Sequence, residues 1–343
     1  MNAMEEMVKY RHEKVLFINN EKAGLKAIIA VHNTNLGPAI GGCRLWPYAS
    51  EEEALFDVMR LSRGMSHKNA VAGLPHGGGK GVIIADPSMK TEAMFEAFGE
   101  AVNNLGGDYI TAEDVNTTCD DALIMLRKTN HICGLPQNSG DPSPFTARGV
   151  WQGIRATAKV ALGADSLEGL TIAVQGLGKV GYDLCRLLHQ SGAKLIIANR
   201  SNKAMAAKAA EEFGATIVPT EQIMAQECDI FSPNAMGAIL NPKTIPLLNC
   251  KAVAGGANNQ ILDDASGLML KERGIFYAPD FVINGGGVIN AAAEVDGPYN
   301  KDAVLEKVDN IYNSIEHILS ESKKTGEPEG VIATRYAESL IYG

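Results

Sequence analysis

Apolar positions change their period along the chain. Between Val15 and His32 two apolar runs, VLFI and LKAIIAVH, flank the polar NNEKAG, a pattern that predicts two antiparallel strands and a turn. Ser50 with Glu53 makes a capping box, and Ala54, Leu55, Val58, Met59 and Leu61 then recur at helical spacing, so a helix leads up to Lys68. GVIIAD after Lys80 reads as a short buried strand. A helix is predicted from Glu92 to Leu105, a strand ending in acids over Asp108 to Asp114, and a further helix from Thr117 to Arg127.

Gly134 to Phe145 is rich in Pro, Gly, Ser and Asn and reads as a hinge. Beyond it TIAVQ, AKLIIA, CDIFS and KAVAGG are separated by amphipathic stretches, which predicts a parallel sheet with helices on both faces. The helical pattern from Lys301 to Leu319 is expected to pack back on the first domain. The fold class expected is thus two-domain α/β. Residues 1–135, joined by a C-terminal helix at about 325–343, would form an α/β domain with a mixed sheet, and residues 140–324 a doubly wound parallel sheet of Rossmann type.

Composition narrows the function. The chain has 343 residues, enough for about two domains, and 31 basic against 40 acidic residues give a formal charge of −9. That balance argues against nucleic acid or an anionic membrane as partner. Cys43, Cys119, Cys133, Cys185, Cys228 and Cys250 show no metal-ligand spacing, so no metal is expected and reduced thiols of a cytoplasmic protein are. The polar start MNAMEEMVKYRHEK is unlike a secretory signal, and no run of about 18 apolar residues would cross a membrane.

Candidate chemistry centres on Gly64 to Asp86, where Lys68 and Lys80 stand either side of Gly77, Gly78 and Gly79. A lysine in a partly desolvated pocket serves as an acid or base, and glycines let a small substrate approach the backbone. A phosphate loop of the G-x-x-x-x-G-K-[ST] form fails at Leu74 and Gly81. A glycine-rich turn with two solvated lysines is an equal alternative. GPAIGG at 37–42 is read as a lining loop. Glu113 and Asp114 either reach a crevice or cap the following helix.

The strand TIAVQ runs into Gly176-Leu177-Gly178-Lys179-Val180-Gly181 and then a helical stretch, the context a dinucleotide fingerprint requires. After the next strand, where an acid would hold the ribose hydroxyls of NAD, stand Asn199, Arg200 and Ser201. Without that acid a 2′-phosphate is not repelled, and Arg200 and Ser201, with Lys203 nearby, would bind one; a polar turn capping the next helix is the alternative. The cofactor expected is NAD or NADP, with NADP accepted or preferred.

In their order, GPAIGG, the paired lysines, TAEDVN, the dinucleotide motif, GGANNQ and PDFVINGGGVIN resemble the glutamate/leucine/phenylalanine/valine dehydrogenases, nearest the leucine and phenylalanine branch. The resemblance implies reversible oxidative deamination of an apolar L-amino acid to a 2-oxo acid and ammonia, in the cleft between the domains. It implies Lys68 and Asn259 on the substrate carboxylate, Lys80 as general base and acid, and Asp114 as proton relay. Gly41 and Gly42 would line the substrate, and Ile40, Met65, Ala112, Val288 and Ala291 would form an apolar pocket. Glutamate dehydrogenases use a lysine at Ile40 and a serine at Ala291, so glutamate is expected to be a poor substrate. Leucine dehydrogenases usually have a valine at Ala291, which points to a deeper pocket and leaves leucine, phenylalanine, methionine and valine open. Thr146, Asn234, Asn258 and Asn284 would hold the nicotinamide end of the cofactor.

Three positions depart from the family pattern: Asn199 replaces an acid, His67 replaces a tyrosine, and the chain stops at Tyr342-Gly343, short of the tail of octameric leucine dehydrogenases. A homodimer through the N-terminal strands, or a higher homo-oligomer, is expected. The rivals are an NAD(P)-binding sensor or scaffold without catalysis, which would not need both lysines and Asp114, and a hydroxy-acid dehydrogenase, whose catalytic histidine motif is missing.

Overall fold

In the computed structural model, which describes residues 3–135 and 138–343, the chain divides into two units. Unit 1 holds residues 1–141, 288–300 and 337–343; unit 2 holds 142–287 and 301–336. Pro136 and Gln137 of the expected hinge lie outside the described residues.

Unit 1 begins with α1 (Ala3–Tyr10) and carries β1 (Lys14–Asn20), β2 (Leu25–Asn33), β3 (Ala39–Ile40), β4 (Cys43–Trp46), α2 (Glu51–Val71), β5 (Gly77–Ile84), α3 (Glu92–Asn103), β6 (Tyr109–Ile110) and α4 (Cys119–Leu126). The sheet order is β1-β2-β5-β3-β6, with β4 also paired to β5; β1, β2 and β5 run antiparallel, and β3, β4 and β6 join in parallel. The sheet is therefore mixed. Alternation decides what each side chain meets: Ile28, Ala30 and Val82 pack on Ala54, Leu55, Val58 and Met59 of α2. Ile29, Val31 and Ile83 face Phe95, Phe98, Val102 and Met125 of α3 and α4.

Three details differ from the sequence reading. α2 does not stop short of Lys68 but includes it in its last turn. The lining loop GPAIGG is not loop throughout: its Ala39 and Ile40 form β3, between β5 and β6. The acids after β6 do not cap α4, because Thr118 does, its hydroxyl accepting from Asp121 N–H while the Asp121 side chain accepts from Thr118 N–H.

Unit 2 starts with α5 (Ser143–Thr157), followed by β7 (Thr171–Gln175), α6 (Lys179–Gln190), β8 (Lys194–Ala198), α7 (Lys203–Phe213), β9 (Thr216–Ile217), β10 (Ile230–Pro233), β11 (Ala252–Val253), α8 (Asp264–Glu272), β12 (Phe276–Tyr277) and α9 (Asp280–Ile283). All strands are parallel in the order β12-β11-β10-β7-β8-β9, a doubly wound sheet that reverses direction beside β7. α10 (Gly286–Ala292) passes from unit 2 into unit 1. α11 (Lys301–Asp309) and α12 (Ile311–Thr325) then pack on α5. The 301–319 stretch thus stays with unit 2 rather than returning to the first domain; of α13 (Glu329–Tyr342), residues from Ala337 onward belong to unit 1. Among the described residues no helix is long and apolar enough to cross a membrane.

Candidate active site

Gly78, Lys80 and Val82 alternate along β5 on the side covered by α2. Lys80 therefore lies inside the strand rather than just before it, 5% exposed, opposite Ala30 of β2. The glycines around it are required by packing. A Cβ on Gly78 would run into the backbone N–H of Ser66, one on Gly77 into the carbonyl of Asn33, and one on Gly79 would sit 2.9 Å from a Tyr109 ring carbon. Only a bare backbone lets α2 lie this close to β5.

Lys80 Nζ stands 2.9 Å from Asp114 Oδ2, and Arg44 Nε donates to that same oxygen at 3.1 Å. Burial drives the Asp114 carboxyl upward, but the charges of Lys80 and Arg44 outweigh it and hold the group below the usual carboxylate range. Asp114 is fixed at its backbone, where its N–H donates to Thr117 Oγ1 (2.7 Å), and Thr117 Oγ1 donates to Cys43 O (2.7 Å). Arg44 also grips Asp57 of α2 at 2.9 Å, and Tyr48 donates to Asp57 at 2.7 Å. The sequence reading missed Arg44, Asp57 and Tyr48. The available signal was one arginine in the otherwise apolar strand CRLW.

Gly41 and Gly42 are closely framed. A Cβ on Gly41 would meet Met65 Cγ at 3.2 Å, and one on Gly42 would meet Asp114 Cβ at 2.9 Å. The Gly41 carbonyl accepts from Tyr109 Oη at 2.6 Å. Ile40 is buried in β3, and Ala112 and Ala291 flank Gly134, at 3.9 and 3.8 Å from where its Cβ would be. Val288 and Ala291 lie on α10, whose neighbourhood is pinned by Glu294 accepting from Leu135 and Ser139 N–H (3.3 and 3.2 Å) and by His76 against Asp296 (2.7 Å). Unit 1 thus holds Lys68, Lys80, Asp114, Gly41, Gly42, Ile40, Met65, Ala112, Val288 and Ala291, while Asn259 belongs to unit 2, in the left-handed region at φ 50°.

His67 is buried against Arg63, with Glu338 3.9 Å from its Nε2. Burial, then Arg63, lowers it to about 4. It is neutral at neutral pH.

In unit 2 the three glycines differ as their contacts require. Gly176 turns at φ 90°, and a Cβ on Gly181 would strike the Gly176 carbonyl. Gly178 has nothing within 4 Å of a Cβ position and opens the 12-residue α6, which no side chain caps. An open glycine at an uncapped helix N-terminus fits a diphosphate. Lys179 and Val180 begin that helix, and Val180 lies with Asn234 and Val150 around Gly256. Asn234 Oδ1 accepts from Gly256 N–H (2.9 Å), and Asn284 Nδ2 donates to Asn258 Oδ1 (2.7 Å). Asn284 Oδ1 is buried without a hydrogen-bond partner among the described residues, as an atom awaiting a ligand would be. Thr146 in α5 lies beside Gly287.

Asn199 Nδ2 donates to Asn202 O at 2.9 Å and reaches Leu177 O at 3.4 Å, so it ties the turn to the glycine loop. The cap of α7 is Asn202, accepting from Met205 N–H at 2.9 Å, which leaves Arg200 and Ser201 exposed beside it.

A mixed-sheet unit with a buried lysine paired to a half-buried aspartate, followed by a doubly wound dinucleotide fold, defines the class: a two-domain nicotinamide-dependent oxidoreductase. The profile of the Glu/Leu/Phe/Val dehydrogenase dimerisation domain matches residues 12–131, and that of Glutamate/Leucine/Phenylalanine/Valine dehydrogenase matches residues 196–338. Leucine dehydrogenase of Geobacillus stearothermophilus is 52% identical, over 99% of this chain and 94% of its own. Phenylalanine dehydrogenase of Bacillus thermotolerans is 44% identical, over 96% and 88%. The crystal structure of L-tryptophan dehydrogenase from Nostoc punctiforme superposes with a TM-score of 0.90 at 41% identity, over 98% of each chain. The chain belongs to the Glu/Leu/Phe/Val dehydrogenase family and is an NAD(P)-dependent amino acid dehydrogenase.

Proposed function

We propose that the enzyme deaminates an apolar, leucine-like L-amino acid to its 2-oxo acid and ammonia, and that Lys80 is its general base and acid. The observation that carries this reading is the contact of the buried Lys80 with the half-buried Asp114. Lys68 holds the substrate carboxylate as a charge-assisted pair. Lys80 as free amine takes a proton from the water that attacks the imine carbon, and as ammonium it polarises the resulting carbinolamine and the product carbonyl. Asp114 accepts and returns the proton of the substrate amino group. The nicotinamide supplies the hydride acceptor.

Ile40, Met65, Ala112, Val288 and Ala291 offer no group to a distal carboxylate, so glutamate would bury an unpaired charge, and the site rejects it. Among apolar substrates a methylene changes binding by only about 1–3 kcal/mol, so leucine, valine, methionine and phenylalanine are all turned over at different rates. Arg200 and Ser201 accept a 2′-phosphate, so NADP is used as well as NAD. The enzyme is a homodimer through β1, the sheet's edge strand, which exposes Leu16 and Phe17.

The test is a panel of initial rates with leucine, valine, methionine, phenylalanine and glutamate, each with NAD and NADP, on the wild type and Lys80→Ala. Turnover of apolar substrates, lost in Lys80→Ala with nucleotide binding intact, is expected. Preferred turnover of glutamate would overturn the pocket, and equal loss of nucleotide binding would make Lys80 structural.

A further inference from the structure

Cys228 and Cys250 take no part in this chemistry. They stand two residues before Ile230 and Ala252, which pair across the parallel strands β10 and β11. Both lie in the segments that lead into these strands, and their side chains hydrogen-bond to each other, so the two sulfurs are neighbours. Backbone hydrogen bonds extend the ladder to this point: Cys228 N–H donates to Asn249 O at 3.1 Å and Lys251 N–H to Asp229 O at 3.0 Å. Neighbouring strands lie about 4.8 Å apart, within the roughly 4.4–6.8 Å of Cα separation that a disulfide spans. Both residues are half-buried, at the edge of the apolar cluster around Phe231 and Val253.

The other cysteines are poor candidates. Cys43, Cys133 and Cys185 are sealed in the cores, and burial pushes Cys133 and Cys185 up to about 12. At Cys119 burial, then the bond to Glu113, raises the thiol to about 11. Cys250 moves the other way. The Cys228 S–H donating to its sulfur lowers it most, and, against the cost of burial, the peptide N–H of Phe231 and the Arg273 guanidinium lower it further. Arg273 is held there by its hydrogen bonds to the carbonyls of Ile245 and Leu248. The Cys228 thiol is raised, first by its hydrogen bond to Cys250 and then by burial.

We propose that Cys250 and Cys228 are a thiol-disulfide exchange site, Cys250 attacking and Cys228 resolving, which closes reversibly into a disulfide between β10 and β11. With glutathione disulfide as oxidant, the Cys250 thiolate forms a bond to one glutathione sulfur and the other glutathione leaves as thiolate. Cys228 then loses its proton to solvent, attacks the Cys250 sulfur and displaces the second glutathione. Two protein thiols are oxidised and one small disulfide is reduced to two thiols. The bond ties β10 and β11 at their starts, the ends opposite Asn234 and Gly256.

The test treats the full-length reduced protein with glutathione disulfide, counts thiols in denaturant and maps the tryptic peptides. The six thiols of the sequence should fall by two, with the Cys228 and Cys250 peptides joined, and dithiothreitol should restore all six. Cys228→Ser should stop at one glutathione adduct on Cys250, and Cys119→Ser should leave the loss of two unchanged. Six thiols persisting under oxidant, a loss that maps to Cys119, or a Cys228→Ser variant that still loses two would overturn the proposal.

Discussion

Asp114 shows how a single residue is tuned by its neighbours. Its oxygen takes donors from Lys80 and Arg44, and their charge keeps it ionised below the ordinary carboxylate range despite burial. The sign follows: a depressed carboxyl stabilises the fold above its unfolded value of about 3.9, and this contribution is lost as pH falls through the folded value. Asp114→Asn should therefore cost stability that is full at neutral pH and shrinks in acid, which urea unfolding at pH 7 and pH 3 measures. The same substitution should lower kcat on the order of 10²-fold or more while nucleotide binding, followed by fluorescence, stays unchanged. Asn199→Asp should restore repulsion of a 2′-phosphate and reduce the NADP-to-NAD ratio of kcat/KM by about 10-fold or more, equivalent to about 1.4 kcal/mol. An unchanged ratio would remove Asn199 from the discrimination.

At the scale of elements, α2 on β5 is the contact that sets the two lysines on one side of the sheet. Gly78→Ala drives a methyl into Ser66, so α2 must shift; about 1–3 kcal/mol of stability should be lost in urea unfolding. Because Met65 and Lys68 ride on the same helix, KM for the amino acid should rise as well. Periodicity made α2, α3 and the strands β7, β8, β10 and β11 legible in the sequence, since each buries one face or a whole strand; β9 and β12, two residues each, were not read. It could not assign partners: the apolar stripe from Val304 to Ile318 says that a face is covered, and α5 rather than unit 1 covers it. β3 was illegible for another reason. Two residues carry no period, and only pairing on both sides makes Ala39 and Ile40 a strand. The glycines before Lys80 were conspicuous as a run, but their role depended on Ser66, Asn33 and Tyr109, distant in sequence.

At the scale of the whole molecule, buried histidines make the protein sensitive to acid. Burial, then its neighbours His12 and His67, lowers His32 to about 3, and His67 lies at about 4. Unfolded, each takes a proton near pH 6.5, so stability is full above that value and falls toward the folded values at up to about 1.4 kcal/mol per pH unit and per histidine. The thermal midpoint should therefore drop between pH 6.5 and 4.5. In His67→Gln the drop should be shallower; an identical slope would place the acid sensitivity elsewhere.

The division of the chain has a consequence for synthesis. Unit 1 is assembled from three separate stretches and unit 2 from two, 142–287 and 301–336, and the stretches of the two units alternate along the chain. His76 leaves the ribosome 220 residues ahead of Asp296, and Leu135 precedes Glu294 by 159. During translation the sheet that carries Lys80 waits without α10 while residues 142–287 are made, and unit 2 in turn waits for α11 and α12, so neither unit is complete before residue 336 has been added.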